Sequence, residues 1–489
     1  MYSGRPPGTA DRSRAGLIPT LGLFSTIMLV VGGVIGSGIF RKTGVMAAEL
    51  GSPQWLMFIW ILAGVITLFG ALTNAEIASL IPETGGQYIY FERMYGPFFA
   101  YLYGWALFSI IQCGSIAAVA YLFAEYAGVL MPLPQLPAEL AAWSFHLPYI
   151  GNLQPLAEIG TKGLAALLIV LLTIVNYLGI RFGGLVQNIF TVAKVAAMLW
   201  LAGGAFLAPS VGGLTNLTTA DPSVTRHGLA WIGALAAALQ GAFWAYDGWN
   251  KLTYIAGEVK SPQRNIPRAL FWGMLTVTAI YALINLAYLY VLPVSELAQA
   301  KKYFAFVVAE KIVAGGGNWI AALIMLSTFG TANAIIMATA RVYFSMARLN
   351  VFPRFIGRTH PRFRTPAAAL VVQGIWSVLL LFSGTFDTLT DTLIFVTWAF
   401  YAAGAYGVFI LRRKLPDVER PYRVPGYPIV PIIFILFAVT FLGFTAYNDF
   451  AVYQQASAAG ETAIMNSLFG VGLVLIGTPG YFFFRRHHA

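Results

Sequence analysis

Few side chains in this sequence are ionisable, and some of those fall inside long apolar runs. Glu76, Lys194, Asp247, Lys251 and Arg341 all do so. A charge at the centre of a membrane helix costs about 2.5–3.5 kcal/mol on insertion scales, so each one calls for a partner or a task. Glu76 and Arg341 lie toward the ends of their runs, where snorkelling or an ion pair is expected, and Lys251 could snorkel too. Lys194 and Asp247 lie deeper and are the candidates for function. The segment Gly241–Glu258 reads GAFWAYDGWNKLTYIAGE. Its centre holds Trp244, Tyr246, Asp247, Gly248 and Asn250, a mixture of rings, acid, glycine and amide. Such a mixture suits a polar pocket better than lipid or a dry core.

A second segment, Leu29–Phe40, reads LVVGGVIGSGIF. Glycine inside a helix costs roughly 1 kcal/mol against alanine. Small residues also let helices pack closely, and Gly32 and Gly36 fit that use. The consecutive Gly36-Ser37-Gly38 fits it less well and predicts a break in the helix. A break exposes carbonyls at the end of one half and N–H groups at the start of the next. The N–H end attracts a carboxylate, and the carbonyl end can hold an ammonium group. Two such breaks facing one another suit a zwitterion, and so an α-amino acid.

Other chemistry lacks its usual carriers. The histidines are His146, His227, His360, His487 and His488, all in loops or the tail. There is no HExxH, no Cys/His metal pattern and no filter resembling TVGYG. No catalytic residue, metal or cofactor is therefore expected. Cys113 is the single cysteine and reads as packing, so no intrachain disulfide can form.

The elements that must position these residues are membrane helices. The 489 residues are 58% hydrophobic and 10% charged, too few charges to solvate a soluble protein of this length. Twelve runs are long and apolar enough to span a bilayer: 20–41, 55–80, 97–129, 161–180, 186–208, 229–256, 267–293, 317–347, 367–384, 389–411, 429–447 and 464–484. None alternates as a barrel strand does. The expected fold is an all-α, multi-pass membrane protein of twelve spans, with residues 1–19 as a tail and no cleavable signal. Net charge is +11. With the N-terminus cytoplasmic, 20 Lys and Arg fall inside and 7 outside, among the latter Arg41, Lys42, Lys162 and Lys302. That asymmetry predicts cytoplasmic termini, including 485–489, and removes nucleic acid as the partner of the basic charge.

Span 6 follows span 1 by five helices. Interrupted helices at matching points of two five-helix halves point to an inverted-repeat transporter. The halves cover about 20–208 and 229–411, with accessory helices at 429–484.

With these motifs in place, the chain resembles the amino acid–polyamine–organocation superfamily, and within it the L-type amino acid transporters and their bacterial relatives. The resemblance runs through GSGIF at 36–40, NAEIASLIPETGGQYIYF at 74–91, VQNIFTVAK at 186–194, WAYDGWNKLTYIAGEVKSPQRNIPRAL at 244–270, STFGTANAIIMATARVYFSMAR at 327–348 and RPYRVPGYP at 420–428. It implies a LeuT-like fold of two inverted five-helix repeats. It implies that backbone at Gly36, Ser37 and Gly38 holds the substrate carboxylate, and that carbonyls of Val34, Ile35, Trp244 and Asp247 face the amine. Trp244 takes the place of an aromatic gate, and Tyr246 and Asn250 line or brace the pocket. Lys194 stands near where sodium-coupled relatives hold an ion, which implies sodium independence. Asp247 replaces a small residue of many relatives. It could favour cationic side chains, or it could pair with Lys194 or Lys251. Mammalian relatives attach a glycoprotein through a cysteine after span 3. The 131–160 loop has none, so no disulfide-linked heavy subunit is expected.

The resulting expectation is sodium-independent exchange of amino acids by a monomer in the plasma (inner) membrane, with neutral side chains preferred. The alternative is proton-coupled uptake using Glu76, Asp247 or Lys194. A sensor without flux comes after it, and an enzyme last.

Overall fold

The computed structural model describes residues 21–83, 85–147, 151–179, 183–207, 212–363, 365–458 and 464–486. The expected tail at 1–19 lies outside the described residues, and so do the side chains of 186–190 within the VQNIFTVAK motif.

Apolar runs become helices because no water is present to satisfy backbone groups in lipid. Nine described helices are long and apolar enough to cross a membrane, or ten if the bent pair Leu23–Val34 and Gly38–Leu50 counts as one span. Two shorter apolar helices, Thr191–Leu207 and Ala367–Leu381, fall in the fifth and ninth expected runs. Helix starts follow local chemistry. Ser52 caps Pro53–Leu80 by accepting from the Trp55 N–H, and Thr385 caps Phe386–Lys414 by accepting from Thr388. The third span is Pro97–Ala106, a π-turn at Leu107–Ile111, then Gln112–Leu130. It forms the centre of the bundle, with 94% of its most apolar stretch buried. Ile429–Ala458 and Asn466–Phe484 bury only 28% and 22% and sit at the rim.

Spans pair with the helix five places on. Gly38–Leu50 packs on Leu229–Tyr246, Pro53–Leu80 on Pro262–Val291, Gln112–Leu130 on Gly316–Arg348, and Ile159–Tyr177 on Ala367–Leu381. This is the interlocking expected of two five-helix repeats.

Two expectations need correction. The first span does not stop near residue 41. It runs on to Leu50, so Arg41 and Lys42 are not loop charges but helical residues only 5% and 2% exposed. Lys162 is likewise buried, donating to the carbonyls of Gln154 and Pro155. The fold is all-α as expected, with one short antiparallel pair, Phe145–Leu147 on Gly151–Leu153, in the loop after the third span.

Candidate functional site

The two halves of span 1 meet at 42°. Helix Leu23–Val34 ends as Ile35 turns extended, and Gly38 begins the second half. The carbonyls left open there are met by side chains from elsewhere. Lys194 Nζ donates to the Ile35 carbonyl at 2.7 Å, the Gly32 carbonyl at 3.2 Å and Thr331 Oγ1 at 3.4 Å. The hydroxyl of Tyr281 sits between the carbonyls of Val34 at 3.2 Å and Ala245 at 2.9 Å. Val34 and Ile35, expected to face a ligand amine, thus already have protein donors, although a carbonyl keeps a second lone pair.

Ser37 Oγ accepts from Trp244 Nε1 at 3.2 Å, which ties the opening of the second half-helix to span 6. Gly38 is glycine for a reason the sequence did not show. A Cβ there would stand 2.4 Å from Ala245 Cα, so its missing side chain makes room for span 6 rather than for a ligand. Gly36 differs, since a Cβ would meet Thr331 at an ordinary 3.6 Å.

Span 6 breaks in the expected place. Leu229–Tyr246 ends, Asp247 is extended, and Lys251–Tyr254 resumes. Gly248 has φ +107°, a conformation that favours glycine, and a Cβ on it would stand 2.5 Å from the Gly33 carbonyl. The two breaks therefore touch through backbone. Asp247 Oδ1 accepts from the Tyr401 hydroxyl at 2.7 Å. Asn250 Nδ2 donates to Gln87 Oε1 at 3.0 Å, which also accepts from the Tyr103 hydroxyl at 2.7 Å, and Tyr103 meets Tyr254 at 2.9 Å. Tyr246 does not line the break. Its hydroxyl donates to the Trp60 carbonyl at 3.1 Å and its ring packs on Trp60 and Tyr281, so it braces the site.

Sequence reasoning missed Gln87, Tyr103, Tyr281, Tyr401 and Thr331 as partners. Gln87 and Thr331 lie within the motifs already quoted. The tyrosines sit in apolar runs and carry no local signal.

At one end of the bundle the site is roofed. Trp244 meets Phe386 edge-to-face at 5.9 Å, and Arg41 and Lys42 lie over that ring at 5.1 and 5.4 Å. Arg41 bonds Glu125 at 2.9 Å and Asp387 at 2.8 Å, while Lys42 bonds Asp387 at 2.7 Å and Asp391 at 3.2 Å. Lys302 bonds the other oxygen of Glu125 at 2.9 Å. Burial works against the Lys302 charge, yet Glu125 outweighs it and raises the amine above the ordinary lysine value. Glu76 belongs to the opposite end and is not brought to the site. It is 3% exposed, takes two bonds from Arg412 at 2.9 and 2.7 Å, and accepts from the Val424 N–H at 2.8 Å. Among the described residues no cluster of His, Cys, Asp or Glu could hold a metal.

Comparison with known proteins gives one consistent answer. The family "Amino acid permease" matches residues 21–474. The chain is 32% identical over 442 residues to the serine/threonine exchanger SteT of Bacillus subtilis (strain 168), covering 89% of this chain and 92% of that one. It is 33% identical over 422 residues to the b(0,+)-type amino acid transporter 1 of Homo sapiens, 86% and 81% of the two chains. It is 31% identical over 473 residues to the large neutral amino acids transporter small subunit 2 of Mus musculus, 94% and 80%. A break built of backbone groups, a lysine seated on it and a bundle of apolar helices thus accompany end-to-end similarity to transporters and not to enzymes, and the chain belongs to the amino acid permease family of the amino acid–polyamine–organocation superfamily.

Proposed function

We propose that the protein is a sodium-independent exchanger of α-amino acids with neutral side chains, working by alternating access in the plasma (inner) membrane with both termini cytoplasmic. The observation that carries this reading is Lys194 Nζ at 2.7 Å from the Ile35 carbonyl and 3.2 Å from that of Gly32. An ammonium group already occupies the carbonyl end of the break, where a metal cation would need the same oxygens. The N–H groups around Ser37 and Gly38 take the substrate carboxylate. Trp244, held to Ser37 and covered by Phe386, closes the outer side. Asn250, Gln87, Tyr103 and Tyr254 close the inner side. The protein spans twelve times and acts as a monomer without a disulfide-linked subunit.

The test is uptake of labelled L-serine into proteoliposomes. Uptake is expected in vesicles preloaded with unlabelled L-serine and not in empty ones, equally in sodium and potassium. Equal uptake into empty vesicles removes obligatory exchange. A sodium requirement removes the role given to Lys194. Accumulation in unloaded vesicles under an imposed pH gradient establishes proton coupling in its place.

A further inference from the structure

Lys251 plays no part in the exchange mechanism above, yet it is one of the few partly exposed residues at the breaks. Between Val30 and Phe40 and between Gly241 and Tyr254 every residue is buried except Gly33, Asp247 and Lys251, which are half-buried. Partial exposure at the breaks is therefore confined to these three. They also converge. The point where a Gly248 Cβ would stand is 2.5 Å from the Gly33 carbonyl and 3.2 Å from Lys251 Nζ. The lysine thus does not snorkel away along its helix but folds back over the turn toward the break in span 1. Lys251 Nζ therefore lies against Gly248, the residue next to Asp247. Lys194 is bound to the Gly32 and Ile35 carbonyls, and Tyr401 makes the direct hydrogen bond to Asp247.

We propose that Lys251 is a specificity-determining residue: with the Tyr401 hydrogen bond it offsets Asp247, so the pocket turns away cationic side chains and accepts neutral ones. The assignment rests on the exchange reading. A zwitterion adds no net charge beside two lysines and one aspartate. A side chain bearing a further positive charge meets two like charges and one opposite charge at short range, where little water screens them. Removing the Lys251 charge leaves Asp247 with the neutral Tyr401 hydroxyl, while Lys194 stays engaged with backbone carbonyls, and so frees the carboxylate to read a cation.

The experiment is competition for labelled L-serine exchange in preloaded proteoliposomes by L-arginine and by L-serine. The quantity read is the ratio of their half-inhibitory concentrations. In K251Q that ratio is expected to fall at least tenfold, in K251R to stay at the value of the unmodified protein, and in the D247N/K251Q double variant to return toward it. An unchanged ratio in K251Q, or a fall that persists without Asp247, overturns the assignment. If K251Q moves no L-serine, the same ratio is read from ligand-induced thermal shifts in detergent, where a fall supports the assignment and an unchanged ratio overturns it. An unmodified protein that exchanges L-serine while K251Q fails these criteria overturns the Lys251 role alone. One that neither takes up nor binds L-serine overturns the exchange reading and this assignment with it.

Discussion

Gly38 offers a sharp test of how the two broken spans meet. In Gly38→Ala the new Cβ would lie 2.4 Å from Ala245 Cα, 2.5 Å from Ala245 Cβ and 2.9 Å from Ala245 N. Ordinary contact begins near 3.4 Å, so the second half of span 1 and the first half of span 6 must part by roughly 1 Å. The obstacle is backbone, which cannot swing aside as a flexible side chain can. Overpacking of this kind costs about 1–3 kcal/mol. Gly36→Ala is the control two residues away. Its Cβ would meet Thr331 at 3.6 Å, and the cost should stay within about 0.5 kcal/mol. Both variants are compared by heating in detergent and measuring the fraction that stays monodisperse, with L-serine exchange measured in parallel. Gly38→Ala is expected to melt several degrees lower and to lose most exchange, and Gly36→Ala to keep both properties. Equal melting of the two variants would refute the close backbone contact. A Gly38→Ala protein that melts normally but binds no L-serine would instead return Gly38 to a purely ligand-facing role.

Three further outcomes are expected. Glu76→Gln leaves Arg412 and Arg420 facing a buried amide and should cost about 3–5 kcal/mol, seen as a lower melting temperature; an unchanged one would mean the pair adds nothing. Lys194→Ala removes the donor from the Gly32 and Ile35 carbonyls and should lower L-serine exchange at least tenfold, and retention of exchange would separate this lysine from the transport cycle. In a Cys113→Ala background carrying Ser37→Cys, adding Asp387→Asn should raise labelling by a membrane-impermeant maleimide several-fold, because Arg41 and Lys42 lose a shared partner over the Trp244–Phe386 roof. Equal labelling would show that these ion pairs do not hold the roof shut.

Local features of the site were legible in the sequence because they are local in cause. Gly36-Ser37-Gly38 and the stretch around Gly248 weaken a helix wherever they occur, and both breaks stand where those residues are. Lys194 was recognisable because a charge at that depth must find oxygen atoms. What sequence could not convey was long-range partnership. Asp247 is held by Tyr401, 154 residues away, and Arg41 by Asp387, 346 residues away. Arg41 and Lys42 read as loop charges because a charged pair ends an apolar run, yet here carboxylates from other spans allow the helix to carry them inward. Glycine was ambiguous in the same way. Composition reveals that a Cβ is missing at residue 38, but only the neighbouring backbone reveals what the gap admits.

The start of span 1 has two more bonds, to the segment just after span 6. The Leu21 N–H donates to the Glu258 carbonyl at 3.0 Å, and the Lys260 N–H donates to the Leu21 carbonyl at 2.9 Å. Near the other end the same two helices are in contact at Gly38 and Ala245. Two jointed rods pinned together above and below their joints form a linkage. If the protein alternates access as proposed, bending one rod at its hinge carries the other with it. In such a mechanism the two doors of the pathway need no signal passed between them, because they are opposite ends of the same lever.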